Sequence, residues 1–137
     1  MEKLSNSGFT PLQAFVINLF GTTLLLMAIK KLMVSVKKPT FKSSYDIPVD
    51  DAGNTKSNLK LGRDVHKEYK LGLDNGTTLR KEYRLPSGKR VDFIDFANKI
   101  VYELKPNNPT QILVGTKQLT DYLKELGDGW KGVLDTY

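Results

Sequence analysis

Between Lys3 and Lys30 the chain carries no charged residue, and this run limits its folding options more than any other feature. So apolar a stretch must be covered by lipid, by a partner or by the rest of the protein. Its hydrophobic part, Phe9 to Ile29, is 21 residues long, about the length of a membrane-spanning helix. Asn18, Gly21, Thr22 and Thr23 interrupt it, and Lys30, Lys31, Lys37 and Lys38 follow it. Inserted as a helix, it would leave its C-terminal side in the cytoplasm by the positive-inside rule. Two other readings stay open: an amphipathic helix covered by protein, and a translocation segment that meets a membrane only transiently. A cleaved signal peptide fits less well, because its leading region would be nearly neutral and no small-residue cleavage site follows.

Residues 1–38 therefore form a hydrophobic N-terminal segment. Residues 39–57 are rich in turn formers and show neither hydrophobic period, so they read as a linker. Residues 58–137 carry the pattern of a folded domain. Asn58 is placed to cap a helix from about Leu59 to Leu71, stopped by Gly72. Strands are expected over residues 77–85, 89–95 and 100–105. Pro86-Ser87-Gly88 turns the first into the second, and Ala97-Asn98 the second into the third. A second helix is expected over 110–126, between Pro109 and Gly127, and a fourth strand over 130–137. Helix, three antiparallel strands, helix, strand predicts an α/β fold, a mixed sheet flanked by helices.

Composition removes several chemistries. The chain has no cysteine, which excludes a disulfide scaffold, a zinc-thiolate site and a cysteine nucleophile. Its one histidine, His66, reads as a structural or exposed helical side chain. Lys and Arg number 21 against 15 Asp and Glu, a net charge of +6, which suits a nucleic acid or an anionic membrane. Lys81, Arg84, Lys89 and Arg90 cluster at the hairpin of the first two strands and are expected to contact phosphates.

Glu103-Leu104-Lys105 is the most informative tripeptide. In a strand Glu103 and Lys105 project to one face and Leu104 to the other. Pairing through the Ala97-Asn98 turn sets Asp95 opposite Ile100, Ile94 opposite Val101 and Asp92 opposite Glu103. Two facing carboxylates repel unless a cation lies between them. Asp92 and Glu103 would hold a hard divalent metal, which lowers the pKa of bound water, and Lys105 would orient that water or steady phosphoryl charge. Because the register depends on the turn, Asp95 is the alternative acid.

Asp92 followed by Glu103-Leu104-Lys105 resembles the PD-(D/E)xK nuclease superfamily, with Val91 where that family has proline. The element order matches its restriction-endonuclease-like core, here preceded by the hydrophobic helix. Gln118 and Tyr122 look like the Q-x-x-x-Y element on the helix after the acid-lysine strand, and share one helical face. Glu68 sits where several members supply a further acidic ligand. Gly-Lys-Arg-Val-Asp-Phe-Ile-Asp, Ile-Val-Tyr-Glu-Leu-Lys-Pro and Thr-Lys-Gln-Leu-x-x-Tyr are similar to the C-terminal toxin domains of polymorphic bacterial toxins.

The resemblance implies a Mg²⁺- or Mn²⁺-dependent nuclease toxin delivered between competing bacteria and acting in the target-cell cytoplasm. Asp92, Glu103 and Glu68 would ligate the metal, Lys105 and Gln118 would assist the chemistry, and Tyr122 would join the hairpin cations on the nucleic acid. DNA is the expected substrate, RNA such as tRNA the alternative, and an acidic cognate immunity protein the expected partner. The resemblance does not extend to residues 9–29, which would make transient membrane contact if they serve as a translocation segment. A non-catalytic nucleic-acid-binding module and a membrane-anchored interaction protein are the readings from other classes.

Overall fold

The computed structural model describes residues 15–18 and 38–137, and asparagine side chains start both helices among those residues. Asn58 accepts the Leu61 N–H at 2.8 Å and opens α1, Leu59–Glu68. Asn108 accepts the Gln111 N–H at 2.9 Å and opens α2, Pro109–Leu126, with proline in the first turn. Each cap satisfies a donor that the first helical turn leaves without a partner. Gly127, at φ 94°, ends α2 in a conformation that suits glycine. α1 ends three residues before the expected Leu71. Lys70 turns into the left-handed region, at φ 53°, and the Lys81 ammonium donates to the carbonyls of His66 and Tyr69.

The strands are β1 (Phe15–Asn18), β2 (Leu79–Arg84), β3 (Arg90–Asp95), β4 (Ile100–Lys105) and β5 (Lys131–Thr136). They form one sheet in the order β1-β5-β4-β3-β2. β5 runs parallel to β4, and every other neighbouring pair is antiparallel. The mixed α/β sheet is the expected one, with an added strand at its edge. That strand departs from the reading of residues 9–29 as a helix. Phe15–Asn18 are extended against β5, Phe15 opposite Leu134 and Asn18 opposite Lys131. An apolar run without a clear period does not by itself distinguish helix from strand. The rest of that segment lies outside the described residues. No helix among the described residues is long and apolar enough to cross a membrane.

Each sheet face buries a helix. On one, Ile112, Leu119, Tyr122 and Leu123 of α2 pack with Ile94, Val101 and Leu134. On the other, Val65 and Tyr69 pack with Phe93, Leu104 and Tyr137. Residues 39–57, read as a linker, hold no helix or named strand, yet they are fastened to the domain. Phe41 N–H donates to the Thr136 carbonyl at 2.8 Å, Thr40 Oγ1 to Asp135 at 2.9 Å, and Phe41 meets Tyr69 edge-on at 5.2 Å. Two isolated apolar residues, Phe41 and Ile47, anchor the segment, and isolated anchors leave no period to read in a sequence.

Gly115 lets α2 approach β4 and β5. A β-carbon there would lie 2.6 Å from Leu134 Cδ1 and 2.8 Å from Lys105 Cγ. A mid-helix glycine costs roughly 0.5–1 kcal/mol relative to alanine, and here it makes room for the stem of Lys105. Gly115→Ala is expected to overpack this contact and destabilise the protein by about 1–3 kcal/mol. Guanidinium denaturation checks it, and an unchanged midpoint would refute the packing argument.

Candidate active site

The sheet opens between β3 and β4. Their ladder pairs Asp95 with Ile100, Ile94 with Val101 and Phe93 with Tyr102, and goes no further. β3 stays with β2 as far as Arg84 opposite Arg90, while β4 stays with β5 as far as Lys105 opposite Thr136. The two halves diverge around Asp92. Its Oδ2 accepts the buried Leu104 N–H at 2.7 Å, a donor that a continuing ladder would have served. Beside it, Glu82 on β2 takes φ 53°, an uncommon conformation for a residue with a side chain. Side chains change faces across this point. Leu79 packs on the α1 side of the sheet, and Tyr83 on the α2 side.

Asp92 and Glu103 line one cleft of about 1140 Å³, together with Lys105, Gln118 and Tyr122. The register expected from the turn is the observed one, although the ladder stops one pair short of these two acids. Glu103 is 4% exposed. Its Oε2 lies 3.4 Å from Lys105 Nζ, and its Oε1 is buried without a hydrogen-bond partner. Burial, and then the charge of Asp92, push the Glu103 carboxyl up to about 8. The buried Gln118 Oε1 also has no hydrogen-bond partner. Tyr122 donates to the Arg90 carbonyl at 3.2 Å. Burial, followed by the charges of Glu103 and Asp92, holds its phenol well above the usual range.

His66 joins these groups from α1, on the opposite face of the sheet. Its Nδ1 lies 2.8 Å from the Gly62 carbonyl, so that nitrogen carries a proton and donates. Its Nε2 lies 3.3 Å from Asp92 Oδ2. Burial pulls the imidazole pKa down, but the Asp92 carboxylate outweighs it, and the net shift is upward. This contact corrects the expectation of a structural or exposed histidine.

Other expected site residues lie elsewhere or are already engaged. Glu68 is absent from the cleft lining, and its carboxylate accepts from the Ser43 and Ser44 hydroxyls and the Ser44 N–H. Two residues on from His66, Glu68 lies on nearly the opposite side of α1 and faces the 39–57 segment, and His66 is the α1 side chain that meets Asp92. Asp95 binds the Asn98 N–H at 3.0 Å and its amide at 2.8 Å, within the β3–β4 turn. Lys81 caps α1, and Lys89 lies outside the cleft lining. Arg84 and Arg90 line the cleft but hold the Gly88 carbonyl at 2.7 Å and Glu82 at 3.1 Å. Arg63 and Lys67, which the sequence reading passed over, also line it. Their i, i+4 spacing with His66 between them was the available signal.

Among the described residues, no three His, Cys, Asp or Glu side chains are grouped to hold a metal ion. Two carboxylates with one orphan oxygen instead fit a hard divalent ion such as Mg²⁺. Such an ion keeps several waters and takes one or two carboxylates plus substrate phosphate.

Between 4.5, its ordinary value, and about 8, Glu103 keeps in the folded protein a proton that the unfolded chain has lost. Folding then binds the extra proton, so stability falls as pH rises through this window. In EDTA the denaturation midpoint should drop across it, and Glu103→Gln should remove most of the drop. Equal slopes in the two proteins would refute the assigned burial of this charge.

The restriction endonuclease fold toxin 9 family matches the chain over residues 54–137, more than half its length. No curated protein and no solved structure matches it. The matched region holds both helices, β2 to β5 and every cleft residue named above. A mixed sheet opened at an acid pair, with a lysine beside it and helices on both faces, accords with that description: the chain belongs to the restriction endonuclease fold toxin 9 family, toxin domains built on a nuclease fold.

Proposed function

We propose that the chain is a metal-dependent nuclease toxin that hydrolyses phosphodiester bonds, with DNA as its substrate. The observation that carries this reading is the Glu103 carboxylate, buried beside Asp92 with an unpartnered oxygen, in a cleft rimmed by cations. Burying an acid with one oxygen left unpartnered is unfavourable, and protein interiors keep such groups where they are used.

Asp92 and Glu103 would hold Mg²⁺ or Mn²⁺. When bound, that ion lowers the pKa of water and offsets charge on the phosphoryl oxygens. Lys105 is aimed at the same place. Its stem is confined against Gly115 and its ammonium lies 3.4 Å from Glu103. It orients the attacking water or neutralises charge that develops on the phosphate. Gln118 offers amide donors to a phosphate oxygen from the α2 side, and Tyr122 keeps its phenol proton as a donor. His66 holds Asp92 through Oδ2. The basic cleft suits an acidic immunity protein as its inhibitor, and delivery to the cytoplasm of a target cell follows from the toxin reading.

Plasmid DNA and total tRNA incubated with the full chain, in Mg²⁺ or in EDTA, test the proposal. DNA should be cut only with the metal. Asp92→Ala, Glu103→Ala and Lys105→Ala should each lower the rate by about 10²–10³ or more. Digestion of tRNA alone would move the substrate to RNA. If folded, metal-supplied protein cuts neither, or Glu103→Ala cuts as fast as the parent, the assignment is wrong.

A further inference from the structure

Among the described residues six cationic side chains besides His66 line the cleft, and four are already engaged. Lys81 holds the end of α1, Arg84 the Gly88 carbonyl, Arg90 Glu82, and Lys105 Glu103. Arg63 and Lys67 are the other two. Both are exposed, and neither has a hydrogen-bond or ion-pair partner among the described residues. They stand one helical turn apart on α1, on the face that also brings His66 to Asp92.

A second observation concerns Gly62, which lines the same cleft beside Arg63. It lies inside α1, where glycine is among the poorest residues. Nothing among the described residues requires it. An added β-carbon would meet only Tyr137 Oη at 3.5 Å and Ser57 Oγ at 3.9 Å, which are ordinary contacts. Gly115 is explained by a clash, and Gly62 is not. A glycine facing a cleft without an internal reason fits a ligand that packs against the helix backbone.

We infer that a nucleic-acid strand runs along this face of α1, packed against Gly62, with Arg63 and Lys67 neutralising its phosphates. This rests on the nuclease reading and moves the main phosphate contacts from the β2–β3 hairpin to α1. The expected hairpin cations are poorly placed for that role, because Lys81, Arg84 and Arg90 would first have to give up the contacts described above.

Binding measured without cleavage tests it. Full-length Glu103→Gln protein in EDTA is titrated with fluorescein-labelled duplex DNA over a range of NaCl concentrations. Arg63→Ala with Lys67→Ala should weaken binding at least about tenfold and reduce the salt slope by roughly 1.8, the release of two phosphates' counterions. Lys117→Ala with Lys124→Ala removes equal charge outside the cleft and should leave the slope nearly unchanged. Gly62→Ala should raise the melting temperature yet weaken binding severalfold, a pairing that a purely structural role would not produce. The inference is overturned if the two charge pairs lower the slope equally, or if Gly62→Ala binds as well as its parent. Binding by the parent while the wild-type chain cuts nothing would instead count against the nuclease reading alone.

Discussion

The bond from the Leu104 N–H to the Asp92 carboxylate, at 2.7 Å, holds the site open. Leu104 is fully buried, so its N–H needs a partner inside the protein. In an unbroken sheet β3's backbone would supply that partner and the strands would stay together. Here a side chain supplies it, and β3 and β4 separate without an orphaned donor. The gap admits side chains from both faces of the sheet: His66 from α1 on one side, Gln118 and Tyr122 from α2 on the other. The sheet remains intact because each diverging strand keeps its outer neighbour.

The same opening explains the electrostatics. Asp92 has His66 and a backbone donor for its charge, whereas Glu103 has only Lys105 and an oxygen without a partner. Burial and the neighbouring Asp92 charge therefore push the Glu103 carboxyl up. Gly115 sets the distance from which Lys105 acts, since a larger residue would push its stem away from α2.

Much of this was legible in the sequence. Asn58 is legible as a cap and Gly127 as a stop because each acts within one turn, whereas Asn108, the cap of α2, is supplied by the structure. The β3–β4 register followed from a single turn, and with it the shared cleft of Asp92 and Glu103. Glu68 and His66 show where such reasoning stops. They are two residues apart on α1 and so on nearly opposite sides of it, and how α1 is rotated against the sheet decides which one meets Asp92. Lys81 likewise looked like part of a basic hairpin until β2 brought it to the end of α1. The 39–57 segment hid its attachment, because Phe41 and Ile47 anchor it without periodicity.

The sequence by itself determined the elements of residues 58–137, their order, and the face shared by Glu103 and Lys105, because caps, turns and strand alternation act between near neighbours in the chain. Only the tertiary structure decided which cations remain unpaired, which α1 side chain reaches the acids, and that β3 and β4 part at Asp92. Those outcomes depend on how separate elements meet across the sheet, and packing between distant segments leaves no local pattern to read.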